Sequence, residues 1–148
     1  MHRVLVAVDE SETSTRVAEF VNRFFGDLEV EVLAINVGRA PTSMMAYAWI
    51  DPVPYVDPRM LDPRLDAEAT LEAEHKAEAV VAASSLKDDE VIIELGDPAE
   101  AIMRAAEEHQ VDIIVVGASD RGLLSRLITP SVSRKVADEA DRPVLIVH

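Results

Sequence analysis

The chain contains no cysteine and no long apolar run, and each absence excludes a class of protein. Without cysteine, neither a disulfide framework nor a thiolate metal site can form. No apolar run approaches the roughly 20 residues that a membrane-spanning helix needs, so no membrane association is expected. The first residues, HRVLVAV, are charged and strand-like, unlike a signal peptide. These features predict a cytoplasmic protein.

Basic residues are also scarce. Lysine and arginine total 14 against 28 acidic residues, which gives a formal net charge of −14, and only Lys76, Lys87 and Lys135 are lysines. A nucleic-acid partner calls for a basic face, so none is expected. The acidic excess is typical both of adaptation to high salt, where screening shortens charge repulsion, and of an ordinary acidic cytoplasmic protein. The sequence leaves both interpretations open.

Apolar runs alternate with helical patterns along the chain, whose 148 residues fit a single domain over 1–148. Five runs are typical of strands: 2–8, 28–37, 90–95, 111–116 and 143–148. Four segments have helical patterns: 11–25, about 65–86, about 98–109, and one that starts near Thr129-Pro130. The second half of the second strand is interpreted as continuously apolar.

Residue types at the segment ends predict how the helices begin and end. Ser11 or Ser14 is expected to cap the first helix, and Gly26 is expected to end it in the left-handed conformation. Asp97 is expected to cap the third helix and Pro98 to open it.

Between residues 38 and 63 the pattern breaks, because five of the eight prolines lie there. We expect an irregular, proline-rich insertion at 38–63. Three interpretations stay open for it: a lid over the site, a partner surface, or a packed cover over the sheet edge.

Near-continuous apolar strands separated by helices predict an α/β fold with a parallel sheet covered by helices on both faces. The order of elements predicts a doubly wound sheet with strand order 3-2-1-4-5. Such sheets bind ligands at the carboxyl ends of the strands where the winding direction reverses, here between the first and fourth strands. Asp9 follows the first strand and Gly117 ends the fourth, so both are expected to face this crevice.

The segment after the fourth strand has the composition of an anion-binding loop. Gly117 is followed by a polar loop and a hydroxyl-rich helix start, where unpaired N–H groups and the helix dipole favour negative charge. Ser131 and Ser133 add donors, and Arg121 and Arg126 add positive charge. The alternative is that Thr129 and its neighbours only cap a helix.

Several stretches together carry a family resemblance: VLVAVDESE (4–12), GDPAEAI (96–102), DIIVVG (112–117), RGLLSRL (121–127), SVS (131–133) and RPVLIV (142–147). In this order and spacing the chain resembles the universal stress proteins from its first strand to its fifth. The resemblance implies the adenine nucleotide alpha-hydrolase-like fold, usually in dimers, and a stress-response role that is not enzymatic. Segment 38–63 matches nothing in the family reliably.

ATP-binding members of that family carry the motif G-x2-G-x9-G-[S/T]. When this motif is aligned with the chain, its four defined positions correspond to Gly117, Asp120, Pro130 and Ser131, so two of the three glycines are replaced. The resemblance also places around the nucleotide Ala7, Asp9, Val37, Val116 and Val132. Asp9 has an alternative role as a cap for the first helix.

The two replaced glycines have physical consequences for a triphosphate. Pro130 lacks an N–H donor, and Asp120 places a carboxylate near the phosphates. Together they are expected to weaken ATP binding roughly 10²- to 10⁴-fold. A shifted turn at Gly122, or Mg²⁺ bridging Asp120 to phosphate, would restore it. Arg121, Gly122 and Ser133 are candidate phosphate contacts.

Two hypotheses for the function follow. In the first, the protein is a stress-response regulator or binding protein with a degenerate ATP site, which acts on an unknown regulatory protein through its dimer surface and 38–63. In the second, it is an ATP-binding switch with Mg²⁺ and at most slow hydrolysis. No catalytic residue and no metal site is expected, because the four histidines are scattered: His2, His75, His109 and His148.

The last strand predicts a homodimer. Segment 143–148 is apolar and is expected at the edge of the sheet, where unpaired backbone groups invite a second strand. A symmetric dimer along this strand would cover them.

Overall fold

The computed structural model describes residues 1–38, 63–83, 86–87, 89–118 and 132–148. Its elements are, in chain order, β1 (His2–Ala7), α1 (Glu12–Phe24), β2 (Val30–Gly38), α2 (Pro63–Ala83), β3 (Glu90–Leu95), α3 (Pro98–Glu108), β4 (Ile113–Gly117), α4 (Val132–Glu139) and β5 (Val144–Val147). The predicted insertion lies outside the described residues over 39–62, and so does the predicted start of the last helix at Thr129-Pro130.

The five strands form one parallel sheet in the order β3-β2-β1-β4-β5, which confirms the predicted α/β topology. β1 lies at the centre and pairs on both sides. Its residue Val6 is opposite Ala34 of β2 and Val115 of β4. β3 and β5 are the two edges, as the doubly wound arrangement requires.

Alternate side chains of the strands enter two separate cores, one on each face of the sheet. On the first, which we call face A, α3 and α4 cover the sheet, and the buried strand residues are Leu5, Leu33, Ile35, Ile92, Ile114 and Val116. On the second, face B, α1 and α2 cover it, and the buried strand residues are Val4, Val6, Val32, Ala34 and Val115. Helices on both faces confirm the prediction.

Most of the predicted boundaries agree with the structure within three residues. The second strand starts later than predicted, at Val30, because Leu28 lies in the preceding turn and is 60% exposed. The fourth also starts later, at Ile113, after a turn in which Gln110 has a φ of 52°. None of the helices in the described ranges combines the length and apolar character needed to cross a membrane.

The end of α1 differs from the prediction. Phe25 ends the helix with a φ of −112°, and its N–H donates to the Val21 carbonyl at 2.8 Å. Gly26 does not have a positive φ, so the predicted left-handed residue is wrong. A Cβ at Gly26 would collide with the carbonyl oxygen of Asn22, so glycine serves here for close backbone approach.

The start of α3 confirms the prediction. The Asp97 carboxylate accepts the Glu100 N–H at 3.0 Å, and Pro98 occupies the first turn. This hydrogen bond, helped by Lys135 and opposed by partial burial, lowers the pKa of Asp97 from its ordinary value of 3.8. The ionised carboxylate therefore makes the stronger cap.

Replacing Asp97 by alanine is expected to lower the free energy of unfolding by about 0.5–2 kcal/mol. Because the folded pKa is depressed, this contribution is present above pH 3.8 and is lost as the pH falls through the lower folded value. Urea unfolding of wild type and D97A from neutral to acidic pH measures it. The control is D97S, which keeps a capping oxygen; equal losses in D97A and D97S at neutral pH would contradict the capping role.

Candidate functional site

The winding of the sheet reverses between the first and fourth strands, as predicted. β1 and β4 are adjacent and parallel, so their carboxyl ends lie at the same edge. Asp9 follows β1 by two residues, and Gly117 is the last residue of β4. The strand order reverses here, since β2 and β3 lie on one side of β1 and β4 and β5 on the other. The structure therefore brings Asp9 and Gly117 to the predicted place.

Three apolar residues of the predicted set lie on face A near this edge. Val116 is 2% exposed and belongs to the face A core, while Ala7 and Val37 are partly buried against it. They come from three strands that are consecutive in the sheet, β2, β1 and β4. Together they form an apolar wall that ends at the carboxyl edge beside the exposed Asp9.

The Asp9 carboxylate organises the loop between β1 and α1. Its Oδ1 accepts the Ser11 N–H at 2.8 Å, the Ser14 hydroxyl at 2.8 Å, and the Ser11 hydroxyl. Ser11 occupies the cap position but makes no side-chain capping bond, so the expected serine cap is wrong. The hydroxyls turn back to Asp9 because short polar side chains bond readily to groups two to five residues away. Asp9 thus organises the turn that leads into α1, but through the N–H of the cap residue Ser11 and through two hydroxyls, which differs from the helix cap of its alternative role.

Two buried side chains at this edge were not among the predicted site residues, although Ser14 was expected as a possible helix cap. Asn36 is 7% exposed and its Nδ2 donates to the Val8 carbonyl at 2.7 Å, while Ser14 is 6% exposed and its Oγ accepts the Asp9 N–H at 2.7 Å. Interpreting the second half of β2 as continuously apolar passed over Asn36. The sequence does contain a signal for it, because an amide inside an apolar strand is expected to be buried and to need a hydrogen-bond partner.

Gly117 is explained by the packing of α1. A Cβ at Gly117 would lie 2.6 Å from Cγ2 of Thr13 and 3.3 Å from Cγ2 of Val17. Thr13 is 5% exposed and β-branched, so its methyl group cannot easily move. The residue that matches the first motif glycine is therefore required by the close approach of α1 to the end of β4.

The rest of the predicted phosphate site is only partly described. Asp120, Arg121, Gly122, Pro130 and Ser131 lie outside the described residues. Two predicted residues begin α4: Val132 is 38% exposed, and Ser133 is buried at 6% exposure. The Ser133 side chain thus faces the interior in the first turn of that helix.

The cations described around this edge already have acidic partners. Lys135 in α4 bonds Asp97 at 3.3 Å and Glu100 at 3.2 Å, and the Glu100 carboxylate, followed by Asp97, raises the pKa of Lys135. Lys76 of α2 pairs with Glu10 at 2.8 Å. Within the described ranges, no group of three or more histidine, aspartate or glutamate side chains is arranged to hold a metal ion. The edge thus offers an apolar wall and a carboxylate.

Comparison with known proteins gives a family match over the entire chain. The model of the Universal stress protein family matches residues 1–148. The universal stress protein YxiE of Bacillus subtilis is 30% identical over 152 residues, covering 99% of both chains. The stress response protein NhaX of the same organism is 45% identical over 60 residues, which is 40% of this chain and 36% of that protein.

Solved structures share the fold over the same length. The structure of the MJ0577 protein of Methanocaldococcus jannaschii has a TM-score of 0.66 at 26% identity, covering 99% of this chain and 94% of that one. A universal stress protein in complex with cAMP has a TM-score of 0.61 at 21% identity and covers 99% and 96%. One from Archaeoglobus fulgidus in complex with dAMP has a TM-score of 0.52 at 21% identity and covers 100% and 98%. The last two likenesses establish the fold.

Replacing Gly117 by alanine is expected to lower the free energy of unfolding by about 1–3 kcal/mol, because the new methyl group overlaps Thr13. Thr13→Ser removes the opposing methyl group, so G117A should cost clearly less in the T13S background than in wild type. Urea unfolding of the two single variants and the double variant measures this coupling. Additive losses would show that the α1 contact is not what requires glycine.

Proposed function

Because this chain belongs to the universal stress protein family, we propose that it is a stress-response regulator that binds adenine nucleotides weakly between β1 and β4. The nucleoside end of the ligand contacts the apolar wall of Ala7, Val37 and Val116, and Asp9 accepts hydrogen bonds from its ribose or base. The observation that carries the proposal is the position of this wall beside Asp9 at the one edge where the winding reverses.

The described residues suit an adenosine group better than a chain of phosphates. A purine is flat and largely apolar, which fits a wall whose residues Ala7 and Val37 are partly exposed. The ribose hydroxyls and the amino group of the base are donors that fit a carboxylate acceptor. Structures of relatives in complex with cAMP and dAMP support a nucleotide as the class of ligand. Asp9 and Glu10, by contrast, bring negative charge that repels phosphate groups. Asp120 and Pro130, which stand where the ATP motif has glycine, are expected to weaken the binding of ATP further.

We propose a binding role without catalysis. Two of the four histidines, His2 and His109, lie at the amino edge of the sheet, where His2 bonds Asp112 at 3.2 Å. They are therefore far from the crevice and cannot act on a ligand there. The protein would act in the cytoplasm by exposing a nucleotide-dependent surface, with segment 38–63 included, to a regulatory protein.

The second candidate function is an ATP-binding switch with Mg²⁺ and at most slow hydrolysis. The start of α4 favours it, because Val132 and Ser133 begin a helix directly after the motif hydroxyl of Ser131. Such a start supplies N–H donors to phosphate. In this alternative Arg121, Gly122 and Ser133 contact the phosphates.

Restoring the motif glycines separates the two functions. We expect wild type to bind adenosine at millimolar concentration and ATP with Mg²⁺ no tighter than tens of micromolar. The variant D120G/P130G should bind ATP about 10²- to 10⁴-fold more tightly, because it gains an N–H donor and loses a repelling carboxylate. Calorimetry with ATP and Mg²⁺, and NMR titration with adenosine, measure these affinities.

Adenosine is the control, since it lacks phosphates and its affinity should be the same in wild type and D120G/P130G. Wild-type binding of ATP tighter than tens of micromolar would overturn the degenerate site and favour the ATP-binding switch. Failure of wild type to bind either adenosine or ATP at millimolar concentration would overturn both candidates.

We propose that the protein forms a homodimer along β5. This strand is at the edge of the sheet, and all four of its residues are partly exposed. The carbonyls of Pro143 and Val147 accept N–H groups of Ile114 and Ala118 on the β4 side. Backbone groups of successive strand residues point in opposite directions, so Ile146, which precedes Val147, directs its N–H and C=O away from β4, toward a second strand.

Replacing Ile146 by proline is expected to convert the dimer to a monomer, with the dissociation constant raised at least about tenfold. Proline removes the outward N–H without breaking a bond to β4, as edge strands allow. Light scattering over a series of protein concentrations measures the mass. The control I146A shortens the side chain but keeps the N–H, so it should stay dimeric; a monomeric wild type would contradict the dimer.

A further inference from the structure

One peptide unit at the end of β1 is held on both sides by buried side chains. The Val8 carbonyl accepts from Asn36 Nδ2 at 2.7 Å, and the Asp9 N–H of the same peptide donates to Ser14 Oγ at 2.7 Å. We infer that Asn36 and Ser14 are positioning residues that fix the direction of Asp9 for the adenine nucleotide. The inference rests on the function proposed above and adds two residues to that site.

The two hydrogen bonds determine the orientation of the Val8–Asp9 peptide. A peptide unit is planar, so holding both its carbonyl and its N–H prevents rotation of the plane. Val8 is also tied to β2, because its N–H donates to the Ile35 carbonyl at 2.9 Å. With the plane fixed, the N–Cα bond of Asp9 has one direction relative to β1 and β2, and only rotation about that bond and the side-chain torsions still move the carboxylate.

The carboxylate of Asp9 is then held by the loop that follows it. The Ser11 N–H and the Ser14 hydroxyl each donate to Oδ1 at 2.8 Å. Ser14 therefore acts twice, on the main chain and on the side chain of Asp9. Asn36 acts only through Val8, which makes Asn36 the sharper probe of positioning.

The surroundings of Asn36 indicate that it is not needed for packing. Its neighbours on face B of β2, Val32 and Ala34, are apolar, and an apolar residue at position 36 would continue that core. A buried amide costs free energy unless it is hydrogen-bonded. Asn36 makes its hydrogen bond with the Val8 carbonyl, in the peptide that precedes Asp9. Fixing a binding group before the ligand arrives avoids the entropy cost of ordering it on binding.

The test uses the full chain with adenosine as the ligand, followed by NMR. We expect Asn36→Ala and Ser14→Ala to weaken adenosine binding about tenfold, because Asp9 must then be ordered on binding. Ser14→Thr keeps the hydroxyl and should recover most of the affinity. The control is Val21→Ala, which opens the same face B core farther along α1 without touching the Val8–Asp9 peptide.

These outcomes separate positioning from stability. Affinity lost in N36A and S14A but kept in V21A and largely in S14T supports the inference. If wild type binds adenosine and N36A and S14A bind it as tightly as V21A does, the inference is overturned while the proposed function stands. If N36A does not fold, S14A and S14T alone decide between these results.

Hydrogen exchange tests the same inference without a nucleotide. The Ser11 amide donates to Asp9 Oδ1, and the hydrogen bond of Asn36 goes to Val8. Loss of positioning should therefore speed exchange of the Ser11 amide about tenfold in N36A, with little change in V21A. If wild type fails to bind adenosine, the proposed function fails, and unchanged Ser11 exchange in N36A would then overturn the positioning as well.

Discussion

Parallel pairing of β1 on both of its sides is the constraint on which the site depends. Crossovers between parallel strands are right-handed, so a chain that adds strands first to one side of β1 and then to the other must change faces. Accordingly α1 and α2 cover face B, and α3 and α4 cover face A. In doubly wound sheets ligands bind at the carboxyl edge where this change occurs, which in this chain lies between β1 and β4. Asp9 and Gly117 lie there because each follows or ends one of these two strands.

The same pairing brings polar groups into a region that is otherwise apolar. β1 ends under α1, so the peptide after Val8 must find hydrogen-bond partners inside the protein. Ser14 supplies one from the first turn of α1, and Asn36 supplies the other from β2. Thr13, one residue before Ser14, packs against Gly117 at the end of β4. The first turn of α1 is therefore tied to all three strands that surround the crevice.

The topology could be predicted from the sequence because it depends on patterns that repeat over many residues. Apolar runs separated by helical segments identify a parallel sheet, and sheet order, both covered faces and the Asp97 cap agree with the structure. The errors concern single contacts. Ser11 is a residue type that caps helices, yet its hydroxyl bonds to Asp9 instead. Gly26 is needed because a Cβ would collide with the Asn22 carbonyl oxygen, and not because its φ is left-handed. Which atoms compete for one hydroxyl, or approach one α-carbon, depends on tertiary packing that local residue preferences do not encode.

Charge limits which nucleotide such a site can hold. The chain carries a formal net charge of −14, so a polyanion is repelled unless cations near the crevice compensate it. Lys135, near the start of α4, is already bonded to Asp97 and Glu100, and Lys76 to Glu10. Drawing Lys135 toward a phosphate would leave two carboxylates without their cation, which offsets much of the gain. Each added phosphate therefore increases the repulsion near Asp9 and Glu10, whereas the proposed adenosine contacts at Val37, Val116 and Asp9 would be the same for every adenine nucleotide. Selection among these ligands should consequently favour those with the fewest negative charges.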